Sequence, residues 1–408
     1  MLKTANPILN KALVGERIDQ AEALELFESA SALDLAYVAD ELRKRKHPDK
    51  EPATYVVQRN VNYSNVCTAS CSFCAFYTPP SSVIARRTQS DVAISPLRYP
   101  KAYVLDYETE LKPKIEELVA INGTEILLQG GHNPSLGLDY YTDLFKQIKQ
   151  DFPGITLHAL SPAEIVHIAE KEFTPAEQYG DGTNRSRIIE PSQRQIKEIL
   201  VQLQEAGMDS LPGAGAEILT ERVRKIIAPL KITTETWLGV MELAHGLGMR
   251  SSATMMYGHV ETYQDRVEHL KALRDLQDQT GGFTAFVAWN FQRGETPLGK
   301  IMDSMEARGE LPDYNKNSSG DDYLRTTAIA RIYLDNIENF QASWVTQGHQ
   351  LGQVSLAFGT NDLGGNMMEE NVVSAANTTH RAGVDEMVYY IEASGRKAAQ
   401  RNTQYQLV

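Results

Sequence analysis

Cys67, Cys71 and Cys74 are the only cysteines among 408 residues, and they stand together in NVCTASCSFCAFY, after a strand-like run. A CxxxCxxC spacing directs three thiolates at one centre, and no cysteine remains for a disulfide or a fourth thiolate. A cubane iron–sulfur cluster normally takes four thiolates, so three leave one iron open to bind something else. A structural zinc site would be closed by a fourth ligand at finger or ribbon spacing, and His47 and His132 lie far away in sequence. Three unrelated thiols this close on a turn would be exposed and oxidisable.

Further candidates lie downstream. Gly130-Gly131 follows the apolar run Glu125–Gln129, where glycines let the backbone approach a ligand or simply make a strand-to-helix turn. Pro212-Gly213-Ala214-Gly215-Ala216-Glu217 is not a dinucleotide fingerprint, because its third glycine would fall at Ile218. Glu217 there either accepts from a ribose hydroxyl or complements a helix dipole. Ser161-Pro162-Ala163-Glu164 has the pattern of a capping box, with Ser at the N-cap, Pro at N1 and Glu at N3. His158, three residues earlier, reads as a hydrogen-bonded interior histidine. His259 and Glu261 in GHVET place an imidazole and a carboxylate beyond a strand, a pair suited to proton transfer or an ordinary loop.

These residues need elements that bring them to one place. Strand-like runs at Tyr55–Tyr63, Glu125–Gln129, Thr156–Leu160, Ser210–Leu211, Ser251–Tyr257, Thr284–Phe291, Phe340–Thr346 and Gln353–Phe358 alternate with helical periods such as Tyr141, Leu144, Phe145 and Ile148. Alternation of this kind predicts parallel βα units, and eight strands predict an α/β fold of the (β/α)8 TIM-type barrel. The unusual residues then fall at or just beyond strand ends, on the rim where barrel enzymes keep their chemistry. Residues 1–50 read as an N-terminal helical cap ending at His47-Pro48-Asp49-Lys50, 51–365 as the barrel, and 366–408 as a C-terminal extension packing on it. Phe173–Ile189 and Met302–Asp322 read as surface loops or lids from their Gly, Asp, Asn and Ser content.

Hydrophobic residues at 42% and charged residues at 23% fit a soluble globular chain. A net charge of −13 argues against nucleic acid or an anionic membrane as partner, since both need a basic footprint. Lys3 and Asn6 interrupt any apolar run after Met1, and no stretch of 18 apolar residues occurs, so a cytoplasmic enzyme acting on a small molecule is expected.

With these residues assembled, the chain resembles the radical S-adenosylmethionine (SAM) enzymes of the futalosine route to menaquinone. The resemblance runs from about Tyr55 to Tyr405 through ordered blocks that include NYSNVCTASCSFCAFY, LLQGGHNP, LHALSPAEI, DSLPGAGAEIL, SATMMYGHVET, QASWVTQG and EENVVSAA. It implies a [4Fe–4S] cluster on Cys67, Cys71 and Cys74, with Phe73, Gln129, Gly130, Gly131, Ser161, Glu217 and Arg224 around SAM. It also implies dehypoxanthine futalosine as substrate, cyclised after hydrogen abstraction at ribose C4′, with His259 and Glu261 as proton-transfer residues. A low-potential donor such as flavodoxin or ferredoxin would supply the electron. Arg293, Arg325 and Arg381 are candidate partners of the substrate carboxylate, as bidentate donors.

The chain departs from the family pattern in two longer connections, at Phe173–Ile189 and Gly294–Asp322. Rival readings are a sister enzyme, such as aminofutalosine synthase or a deazaflavin-cofactor synthase subunit, and a non-catalytic iron–sulfur electron-transfer protein.

Overall fold

Ten parallel strands form one sheet in the computed structural model, which describes residues 4–48, 51–81, 100–294, 296–316 and 319–408. They are β1 (Ala53–Val56), β2 (Gln58–Asn62), β3 (Glu125–Gln129), β4 (Thr156–Ala159), β5 (Ser210–Leu211), β6 (Arg250–Tyr257), β7 (Phe283–Asn290), β8 (Asn339–Gln341), β9 (Asp362–Gly365) and β10 (Ala398–Gln400). Their spatial order is β10-β1-β9-β8-β7-β6-β5-β4-β3-β2.

β1 and β2 are one run broken only at Val57, yet they lie toward opposite ends of that order. The Val56 carbonyl accepts from Asn366 N at 3.2 Å beside β9, and the Val57 carbonyl accepts from Thr124 N at 3.0 Å beside β3. Neighbouring carbonyls of an extended run point to opposite sides, so this run serves both ends of the sheet and curls it into a barrel. β10 pairs with β1 through Ala53 and Ala398. The tail beyond it is anchored where Arg401 donates to both Asp362 oxygens, at 2.6 and 3.0 Å, beneath the Tyr405 ring.

The outer helices bury the stripes their periods dictate. Leu138–Asp151 buries Tyr141, Leu144, Phe145 and Ile148, and Gln193–Glu205 buries Ile196, Ile199, Leu200 and Leu203. Three N-terminal helices, Pro7–Leu13, Gln20–Ser29 and Ala32–Lys46, lie outside this layer. Arg325 of the helix Gly320–Tyr333 donates to the Ala30 carbonyl at 2.7 Å, and Phe27 stacks on Tyr263 at 4.8 Å.

Barrel interiors usually fill with branched apolar side chains. Here the inward positions include Gln58, Asn60 and Asn62 of β2, Glu125 and Gln129 of β3, His158 of β4 and Ser252 and Thr254 of β6. They put polar groups on the wall of a cavity of about 440 Å³ that reaches from the cysteine loop down to Arg401 and Tyr405.

Several expected elements differ. Gln353–Phe358 is not a strand: the helix His349–Ser355 covers its start, and the strand that completes the barrel is β9. A short apolar run carries no decisive period, whereas Asp-Leu-Gly-Gly hides a strand because glycine is poor in sheets. Its glycines are needed for close approach, since a Cβ at Gly365 would lie 2.2 Å from Gln58 Nε2. Within Met302–Asp322, expected as loop, the helices Pro297–Ala307, Asp313–Lys316 and Gly320–Tyr333 cover much of the stretch. Phe173–Ile189 carries two short helical turns, and its buried Tyr179 packs toward His167. Asp49 and Lys50 of the expected break, and Glu295, Asn317 and Ser318 of the longer connection, lie outside the described residues.

Candidate active site

The three cysteines line one end of the cavity, Cys71 buried and Cys67 and Cys74 half-buried. The loop carrying them is held from three sides. Cys67 N donates to the Thr78 carbonyl at 2.9 Å, Thr68 N to the His132 carbonyl at 3.1 Å, and Ser72 N to the Ile227 carbonyl at 2.8 Å. Ser70 turns it in the left-handed region at φ 47°. Burial pushes all three thiols up, most of all Cys71, while the Lys231 ammonium draws each of them down. Thiols walled in this way keep their protons unless a metal centre takes the thiolates.

Three thiols on one loop at the end of an open cavity suit a cluster held by three thiolates with one iron uncommitted.

Gly130 and Gly131 face that loop because nothing larger fits. A Cβ at Gly130 would lie 2.6 to 2.8 Å from the Tyr63 ring, and one at Gly131 would lie 2.2 Å from the Val66 carbonyl. Gly131 N donates to the Ser64 carbonyl at 2.8 Å. Gly130 N donates to Glu164 Oε1 at 2.9 Å, and the same oxygen accepts from Tyr63 Oη at 2.8 Å.

This corrects the capping-box reading. Ser161 Oγ does accept from Glu164 N at 3.2 Å, capping the helix Pro162–Phe173, but the Glu164 carboxylate leaves its own helix to hold the glycine turn. Burial pushes that carboxyl up to about 7, against the Ser161, Gly130 and Tyr63 hydrogen bonds. Ser161 and Glu164 both line the cavity, and Leu160 before them sits in the left-handed region at φ 62°. A strained residue of this kind persists where its surroundings over-determine it.

Opposite lies Glu217, at φ 43° in the loop after β5. The next helix starts only at Glu221, so Glu217 does not serve as its first-turn carboxylate. One Glu217 oxygen takes the Lys231 ammonium at 2.8 Å; the other is buried, accepts no hydrogen bond and lies 3.6 Å from Arg224. Arg224 is absent from the cavity lining. Its guanidinium donates to the carbonyls of Gly215, Ala216 and Ile232, the last at 2.6 Å, and so holds the loop from behind. Phe73 and Gln129 also line the cavity.

Lys231 escaped the sequence reading, because its partner lies 14 residues away across a helix. Its side chain is 13% exposed and lines the cavity, and it sits 5.4 Å over the Phe73 ring. Burial works against its charge, and the Glu217 carboxylate outweighs that and holds the proton on.

His259 and Glu261 are brought together, but away from the cavity, and both are fully buried. Glu261 accepts from Gly258 N at 2.6 Å, His259 N at 2.8 Å and Arg266 Nε at 3.0 Å. His259 Nδ1 lies 2.7 Å from Val260 N and 3.1 Å from Glu261 Oε2, and Nε2 lies 3.0 Å from the Met256 carbonyl. Burial pushes the imidazole down. With both ring nitrogens and both carboxylate oxygens engaged, the pair fixes the turn after β6.

The three candidate arginines also turn elsewhere. Arg293 pairs with Asp303 and Glu306, Arg325 donates to the carbonyls of Leu26 and Ala30, and Arg381 reaches the Glu370 carbonyl. Among the described residues the cations on the cavity wall are Lys231, Arg250 and Arg401. The wall also carries Phe76, Trp289, Trp344 and Met367, and Asn60 has a buried Oδ1 that accepts no hydrogen bond.

Comparison with known proteins places residues 61–273 in the family described as the radical SAM superfamily and residues 280–408 in the CofH/MqnC C-terminal region. A cyclic dehypoxanthine futalosine synthase of Halalkalibacterium halodurans is 41% identical over 402 residues, covering 98% of this chain and 94% of the relative. A second of that name, from Streptomyces coelicolor, is 40% identical and covers 98% and 88%. A 5-amino-6-(D-ribitylamino)uracil–L-tyrosine 4-hydroxyphenyl transferase of Methanosarcina acetivorans is 36% identical, covering 100% and 95%. Among solved structures, methylornithine synthase superposes with a TM-score of 0.65 at 15% identity, covering 96% and 97%. The hydrogenase maturase HydG superposes at 0.67 and 14%, covering 98% and 76%; both likenesses concern the fold alone.

Proposed function

We propose that this chain, an enzyme that belongs to the radical SAM superfamily, cyclises dehypoxanthine futalosine in menaquinone biosynthesis. The near-full-length likeness to two synthases of that name carries the reading. In the reaction one hydrogen would pass from ribose C4′ to the adenosyl carbon released from SAM, a bond would form from C4′ to the benzoate ring, and the ring would then give up a proton to a base and an electron to a one-electron acceptor such as the oxidised cluster. A [4Fe–4S] cluster with SAM supplies the one-electron chemistry that breaks such a C–H bond.

The protein's part is to bind, orient and enclose. Cys67, Cys71 and Cys74 would hold the cluster, leaving one iron for SAM, and Gly130 and Gly131 would bring backbone to the SAM amino acid end, with Phe73, Gln129 and Ser161 alongside. Glu217 offers its unpaired oxygen to a ribose hydroxyl. Arg224 acts through the loop it holds. The aromatic wall suits the benzoate ring, and the buried amide of Asn60 suits a polyol, since an orphaned acceptor gains a full hydrogen bond from a ligand. A flavodoxin or ferredoxin serves as electron donor.

Anaerobic turnover with substrate deuterated at C4′ tests the reading. Deuterium should appear in 5′-deoxyadenosine, and its absence would defeat the assignment. A second reading, transfer of the tyrosine aryl group to a ribitylated uracil, is favoured by the 36% identity over the whole chain to the archaeal transferase. Offering both substrates side by side separates the two.

A further inference from the structure

We propose that Lys231 sets the reduction potential of the metal centre on the cysteine loop, through a fixed positive charge. The proposal rests on the cluster reading above and deepens it. Lys231 follows the helix Glu221–Ile227, and the end of that helix is tied to the cysteines, because Ser72 N and Ser72 Oγ both donate to the Ile227 carbonyl, at 2.8 and 2.9 Å. Lys231 N closes the connecting turn onto the Ala228 carbonyl at 3.0 Å. The backbone bearing the ammonium is thus anchored to the backbone bearing the ligands.

Its side chain is held as firmly. Glu217 Oε1 accepts from Nζ at 2.8 Å, and the Phe73 ring, between Cys71 and Cys74 in sequence, lies 5.4 Å from it. The pair is not electrically neutral as seen from the loop. The ammonium over the Phe73 ring and the three cysteines line the same cavity, and Lys231 draws all three thiols down, whereas Glu217 pushes up Cys71. Reducing a cluster adds one negative charge to a partly dehydrated site, where a nearby cation interacts more strongly than in water. Charge beside a cluster is one of the means by which a protein sets its potential.

The test is an EPR-monitored redox titration of reconstituted protein without SAM or substrate, comparing wild type with Lys231→Met and Lys231→Arg. At the poise that half-reduces wild type, Lys231→Met should show a reduced-to-oxidised ratio about tenfold smaller, a midpoint about 59 mV lower for one electron, with Lys231→Arg close to wild type. An unchanged midpoint at equal iron content overturns the proposal. So does an unchanged midpoint with weaker SAM binding to the oxidised protein, which would make Lys231 a cofactor-binding group only. Should Lys231→Met fail to load iron, Glu217→Gln must raise the midpoint, and no rise overturns the proposal equally. Wild type that binds no iron would refute the cluster reading instead, and loss of cyclisation alone would bear only on the substrate.

Discussion

Glu164 offers the sharpest test of the site's electrostatics. Its carboxyl is buried between the helix Pro162–Phe173 and the glycine turn, and burial lifts it from 4.5 to about 7. A carboxyl raised in the folded state makes the folded protein bind the extra proton, so its contribution to stability is complete below about 4.5 and is lost as pH rises through about 7. The rise of roughly 2.5 pH units, at about 1.36 kcal/mol each, amounts to on the order of 3 kcal/mol. Unfolding entropy near 2.1 cal/mol/K per residue gives about 0.86 kcal/mol/K over the 408-residue chain. About 1.9 of those pH units, or about 2.5 kcal/mol, is lost between pH 5 and pH 8.5, so wild type should lose about 3 °C of melting temperature relative to Glu164→Gln across that window. Any constant effect of the amide cancels in that difference. Anaerobic thermal scans of both proteins across this window are the assay. Parallel curves would refute the reasoning, and would mean the carboxyl stays ionised through its three donors.

Other expectations follow from the same geometry. Anaerobic reconstitution should give about four irons per chain, lost in Cys71→Ala; stoichiometric zinc without cluster absorbance would overturn the assignment. Gly130→Ala drives a Cβ into a Tyr63 ring that has no room to retreat, being fully buried against Tyr141, and should cost about 1–3 kcal/mol of stability with weaker SAM binding by equilibrium dialysis. Glu261→Gln breaks a fully buried ion pair with Arg266 and should destabilise by about 3–5 kcal/mol in denaturant titrations. Product formed per loaded cluster should not change, and a selective fall in product would restore Glu261 as a proton carrier.

The chemistry of this chain was legible where it is local. Three cysteines within eight residues, a glycine pair after an apolar run and helices with clear 3.6-residue stripes are properties of spacing, and spacing is written in sequence. β9 was not legible, because Asp362–Gly365 has glycines where sheet formers are expected and its place depends on Gln58 and Gln341 close by. Nor was the destination of charged side chains. Glu164 has a cap's position but bonds to a turn 34 residues away. Lys231 finds its charge partner across a helix, and His259 and Glu261 spend their bonding capacity on backbone and Arg266. A buried polar group must satisfy itself with whatever folding brings within about 3 Å. Sequence therefore determined which groups this protein owns and the local elements that carry them, while the closed barrel alone decided which of them face the cavity.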